Sequence, residues 1–159
     1  MFRAIVDSTA QEITIAPRLR SRSRFNCGER LMRWAELLGQ HQDGELELLT
    51  DTERLEAPVR ASLRLNKSPI SVAYADPQLR ANGLGGDSYG DAYRFFGLSH
   101  ETLHDIVCYC HYRSSRIPPN EVANRVRRVA NRARWVDGML TAIGLEGTRA
   151  GALLTKALV

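Results

Sequence analysis

Lysine is nearly missing from this chain: of 22 basic residues only Lys67 and Lys156 are lysines. Positive charge therefore rests on arginine, whose planar guanidinium suits forked contacts to phosphate and carboxylate better than a compact ammonium does. Cysteine is scarce and odd in number, with three residues and no C-x-x-C knuckle. Cys108 and Cys110 stand two apart, where a disulfide on a helix would be badly strained, so a disulfide framework is excluded and reduced thiols are expected. No apolar run approaches the ~20 residues of a membrane span. The opening Met-Phe-Arg-Ala-Ile-Val-Asp lacks the apolar core of a secretory signal. The expectation is a cytoplasmic protein with no membrane partner. Internal repeats and low-complexity tracts are absent as well, which excludes solenoids and arrays.

What is present describes one globular domain. A chain of 159 residues, 43% hydrophobic and 25% charged, is long enough to bury roughly 70% of the surface its unfolded form exposes. The net charge of +4 and pI near 9.2 permit an acidic partner, nucleic acid or protein, without requiring one. Leu31, Trp34, Ala35 and Leu38 recur at helical spacing and predict a helix from about Cys27 to Gly39. Thr50 to Glu53 offers caps and early acidic residues for a helix to about Leu65, with Pro58 interrupting it or starting its main part. Pro69 to Ala75 reads as a strand or a buried connector. Ala81 to Gly90 is a glycine-rich connecting loop that lacks the lysine of a phosphate-binding loop, and Asp87 and Asp91 within and beside it lack calcium-loop spacing. Helices follow from Ser99, from Asn120 to about Arg134, and from Trp135 to Ile143. Near the N-terminus, Phe2 to Val6 and Glu12 to Ile15 alternate like two short strands, and Arg18 to Arg24 holds four arginines in seven residues. The reading is a mainly α single domain of five or six helices over 25–159, preceded by an extended or flexible basic arm over 1–24. A short two-stranded element near the N-terminus completes it.

Chemistry concentrates in one stretch, Ser99 to His111, which carries three of the four histidines and two of the three cysteines. Read as one helix, it presents Leu103, Ile106, Val107 and Cys110 to the core. His100, His104, Cys108 and His111 then form a second stripe about 100° away. His100 and His104 lie one turn apart with Glu101 between them, and this His-Glu-x-x-His resembles the motif of zincin metalloproteases. That resemblance implies two histidines on zinc with Glu101 as the catalytic carboxylate. It covers five residues, and Asp105 follows His104 where that family prefers uncharged residues. A structural zinc site is the second form of the idea, with His104, Cys108 and His111 as ligands at helical spacing and Cys27 or Cys110 completing the tetrahedron. Cys27, at a helix start, also invites reading as a nucleophile paired with His41 or His111.

Tyr93 to Ser99 followed by Leu103 and Ile106 resembles the turn of a helix-turn-helix, which implies DNA binding. The front of that second helix, however, offers His100, Glu101, His104 and Asp105 rather than arginine. The plain alternative is an αα-hairpin in a helical core. Arginines instead stand on the next helix, where Arg125, Arg128 and Arg132 share a face suited to phosphates or carboxylates. The default function is a non-enzymatic, cofactor-free binding or regulatory module that contacts an acidic partner through these arginines. The alternative is a zinc protein built on 100–111, structural or hydrolytic.

Overall fold

The computed structural model describes residues 25–41, 44–144 and 153. The basic arm over 1–24, with its two expected strands, lies outside the described residues, as does nearly all of the apolar stretch after Gly144. The described chain is mainly α. In order it runs α1 (Cys27–Gln40), β1 (Leu46–Glu47), α2 (Ala57–Ser62), α3 (Pro69–Ala75), α4 (Pro77–Ala81), α5 (Tyr89–Phe96) and α6 (His100–Val107). A 3-10 turn (Tyr109–His111), β2 (Arg116–Ile117) and α7 (Pro119–Ala142) follow.

Two long helices form the frame. Asn26 starts α1 with a reciprocal cap: its side chain accepts from the Glu29 amide at 2.8 Å, and the Glu29 carboxylate accepts from the Asn26 amide at 2.8 Å. Leu31, Trp34, Ala35 and Leu38 form the buried face of α1, as their spacing predicts. α7 lies along this helix. A Cβ on Gly28 would stand 2.5 Å from Cγ of Arg134, so glycine is what permits that approach. The sequence suggests a break before Trp135, yet α7 continues for 24 residues because Ala130, Ala133, Val136 and Leu140 extend the buried stripe of Val122 and Val126. Trp135 itself points outward, 64% exposed.

Of the shorter helices, α3 and α5 pack against α1 and α6 packs against α7. Trp34 is fully buried, stacks on Phe96 with ring centres 4.5 Å apart and donates its indole N–H to the Pro69 carbonyl at 2.8 Å. Pro69 to Ala75 is a helix rather than a strand. Ser68 caps it, accepting from the Ser71 amide at 3.1 Å, and proline at the first turn has no amide that needs a partner. Asp76, buried, caps α4 and takes the Arg33 guanidinium at 2.6 Å, which fastens this corner to α1. Asp87 and Asp91 engage Arg64 and Arg94 separately, so the glycine-rich loop gathers no cation ligands. Hydrogen bonding from Ser88 lowers the Asp91 pKa, ahead of the contribution of Arg94.

Two departures from the sequence reading position the candidate site. The expected helix from Thr50 shrinks to Ala57–Ser62, and the residues just before it, 46–49, are held in extended pairings. Leu46 faces Ile117 and Glu47 faces Arg116 in the two-stranded antiparallel sheet. Leu49 then inserts beside α6, taking the Val107 carbonyl at 2.8 Å and giving its own carbonyl to the Tyr109 amide at 3.0 Å. That pairing stops α6 at Val107 and turns Cys108 into an extended residue with φ −99° and ψ 140°. The core register of α6 holds as far as Val107: Leu103, Ile106 and Val107 are buried. Beyond it the register fails, with Cys108 buried and Cys110 exposed.

Leu103, with no exposed surface, carries a direct test of this packing. Leu103→Ala is expected to lower stability by about 2 to 5 kcal/mol, read as an earlier urea midpoint at unchanged slope. A loss within about 0.5 kcal/mol, the range of a surface substitution, would contradict the register.

Candidate metal centre

Because α6 ends early, its histidines and the cysteines after it do not form a single stripe. His100 turns toward α5, where its ring stacks on Tyr93 at 4.1 Å between centres and faces Tyr89 at 6.0 Å. Glu101 is exposed on the first turn. Neither belongs to a converging set of donors among the described residues. The geometry that a zincin-like pair requires, His100 and His104 on one ion beside Glu101, is therefore not assembled.

His104 is the centre of what does assemble. It is 3% exposed, and both ring nitrogens have partners. Nδ1 lies 2.6 Å from Oγ1 of Thr52, and Nε2 lies 3.2 Å from Sγ of Cys110. The 3-10 turn folds residues 109–111 back over the end of α6, so His111 meets His104 edge to face with ring centres 4.9 Å apart. One donor atom from each of His104, Cys110 and His111 falls within 4.8 Å of the others. A second such set, Asp51, Glu53 and His104, shares the same histidine. Glu53 Oε1 stands 4.0 Å from His104 Nε2. Donors on a tetrahedral zinc at ~2.0 to 2.3 Å stand roughly 3.3 to 3.8 Å apart, so donors up to 4.8 Å apart would have to draw together to share an ion.

Cys108 takes a supporting place rather than the ligand place that helical spacing gives it. Its buried Sγ lies 3.4 Å from Thr52 Oγ1, behind the histidine. Burial pushes this thiol up to about 11, so it stays protonated at neutral pH. Cys27 is remote from the cluster: its Sγ donates to the Phe96 carbonyl at 3.0 Å and burial raises it to about 11, the opposite of what a nucleophile needs. Cys110, exposed, is also raised, by burial first and then by the carboxylates of Asp51, Glu53 and Asp105. On the far side His111 Nε2 holds Asp105 Oδ1 at 3.1 Å.

The three arginines of the expected partner surface fall on one face of α7, but they are not equivalent. Arg125 is tied down, donating to the carbonyls of Asp105 and His111 and stacking over the Tyr112 ring at 4.1 Å. Arg128 and Arg132 are exposed. The local geometry expected of the helix-turn-helix segment is present: Gly97 ends α5 at φ +66°, Leu98 is buried and Ser99 caps α6. That geometry serves an αα-hairpin equally well.

Thr52 and Glu53 escaped the sequence reading because nothing local marks them. They lie some fifty residues from His104 and read as the cap and first turn of a helix that does not form there. Cys110 reads in the sequence as a core-facing residue and otherwise as a completing ligand, whereas it is exposed.

The environments of the three thiols predict their order of reaction. In metal-free native protein an aromatic disulfide reagent should modify Cys110 first, with a rate that rises as pH increases through and beyond the ordinary thiol range, while Cys27 and Cys108 react only on unfolding. Equal native-state labelling of Cys108 and Cys110 would contradict the placement of the turn.

Comparison with protein-family models, with curated proteins and with solved structures finds no significant match, so the functional reading rests on this geometry.

Proposed function

We propose that the chain is a zinc-binding module in which His104, Cys110, His111 and Glu53 hold one ion. The observation that carries this reading is the convergence of the His111 imidazole and the Cys110 thiol on buried His104, whose other nitrogen is already engaged by Thr52. With Nε2 on the ion, Nδ1–H donates to Thr52 Oγ1, and the threonine proton is left for Cys108 Sγ. An outer partner of this kind fixes the tautomer and the ring orientation of a ligating histidine. Asp105 does the same for His111. Mixed sulfur and nitrogen donors select zinc over the hard cations calcium and magnesium. Asp51 is held by the Glu53 amide at 3.1 Å and by Arg54 at 3.2 Å, which leaves Glu53 as the fourth donor. Glu53, 4.0 Å from His104 Nε2, belongs to the second set of donors and would have to swing toward Cys110 and His111 to complete the tetrahedron. Four protein donors would make the site structural rather than catalytic. The ion would then clamp the 50–56 loop to the turn after α6, two segments with little regular structure of their own.

The same Cys110–His104 pair, with Thr52 behind the histidine, has the outline of a nucleophilic dyad. Electrostatics separates the two uses. A reactive thiolate is favoured by nearby cations, whereas Cys110 is surrounded by Asp51, Glu53 and Asp105. Such a setting disfavours a bare thiolate and favours a divalent cation.

Elemental analysis tests the proposal. Protein purified without a histidine tag or chelator should carry about one zinc per chain. His104→Ala and Cys110→Ser should each reduce this to background, while Glu101→Gln and Cys108→Ser should retain it. Thr52→Val should keep the stoichiometry and weaken affinity about 10- to 100-fold. Failure to take up zinc after reconstitution, or retention through His104→Ala and Cys110→Ser alike, would overturn the assignment.

A further inference from the structure

The cleft between α6 and α7 adjoins the donor cluster, and Arg125 and Asp105 border both. Arg125, Arg128 and Arg132 fall at i, i+3 and i+7 of α7 and line a cavity of about 250 Å³ with Thr102, Asp105, Ile106 and Val129. Like charges three and four residues apart destabilise a helix. Here three guanidiniums face one lining carboxylate, Asp105, which is itself engaged by His111 at 3.1 Å. Folding alone gives no reason to keep Arg128 and Arg132 together at this place. Arg125 is immobilised by two carbonyls and a tyrosine ring, so one wall of the cleft is already organised before any ligand arrives.

We propose that this cleft binds the phosphate group of a small phosphorylated ligand. Arg128 and Arg132 supply forked donors that match phosphate oxygens two at a time, and charge assistance strengthens each hydrogen bond. Ile106 and Val129 offer apolar contact to the rest of the ligand. A nucleic-acid strand fits less well than a single compact oxyanion. The three arginines span only ~10 Å of helix axis, and exposed Asp105 lines the α6 side of the cleft with exposed Glu101 one turn before it on α6, so the adjoining phosphates of a polymer would be repelled. The proposal does not rest on the zinc reading.

The test is a titration of isotope-labelled full-length protein with inorganic phosphate, following the arginine Nε–H signals by NMR at constant ionic strength. Arg128 and Arg132 should shift saturably, and sodium acetate should not reproduce the effect. The backbone response around Thr102 and Ile106 should vanish in the Arg128→Gln/Arg132→Gln double variant and persist in Arg127→Gln, whose side chain is instead paired with Asn124 at 2.7 Å. A linear, unsaturable response would mean nonspecific ion association and overturn the site. So would an equal response to acetate, or an unchanged backbone response in the double variant. A short DNA duplex that binds more tightly than phosphate through the same two arginines, with steep salt dependence, would overturn the small-ligand assignment in favour of a polyanion.

Discussion

The backbone pairing of Leu49 with the end of α6 is the interaction on which the rest of the site depends. Two hydrogen bonds, from the Leu49 amide to the Val107 carbonyl at 2.8 Å and from the Tyr109 amide to the Leu49 carbonyl at 3.0 Å, end the helix where side-chain periodicity alone would continue it. Stopping there has three consequences. Cys108 turns inward, behind Thr52. Cys110 and His111 swing back over His104. The loop after Leu49 is held against the same corner, which delivers Thr52 and Glu53. Had α6 continued to His111, the histidines and cysteines would be spread along ~16 Å of axis and could not all meet one ion.

Buried polarity at this corner is paired with care. His104 has only 3% of its surface exposed and yet both nitrogens are engaged, which answers the cost of burying an unsatisfied imidazole. The carboxylates lie on the outer side: Asp51 is paired with Arg54, 87% exposed and so strongly screened, and Asp105 with His111, while the Arg125 guanidinium donates to the carbonyls of Asp105 and His111. Burial first, and then Asp51, Glu53 and Asp105, raise the Cys110 thiol, a setting that disfavours a bare thiolate. α7 shows the reverse imbalance, with guanidiniums in excess of carboxylates at the neighbouring cleft.

Much of the fold was legible in the sequence, and the failures have identifiable causes. α1 and the buried stripe of α6 follow from apolar spacing, and Ser99 caps α6 where the sequence starts that helix, whereas α5 starts after Ser88 inside the stretch that reads as a glycine-rich loop. The extended reading of Pro69 to Ala75 fails because proline in the first helical turn after a capping serine is a start signal. The division of α7 at Trp135 was misread because an exposed tryptophan interrupts the apparent pattern while the small residues Ala130 and Ala133 maintain the real one. The site was half legible. His104 and His111 stand out by residue type, but their grouping with Glu53 and Cys110 depends on a strand pairing across some sixty residues. No local periodicity encodes such a pairing.

The most direct test of this account is X-ray absorption at the zinc edge of the reconstituted protein. The account predicts one sulfur at about 2.3 Å and three nitrogen or oxygen neighbours at about 2.0 to 2.2 Å, with imidazole scattering beyond them. Two sulfurs would place Cys108 on the ion and contradict its supporting role. A shell without sulfur would remove Cys110, and with it the turn-built centre.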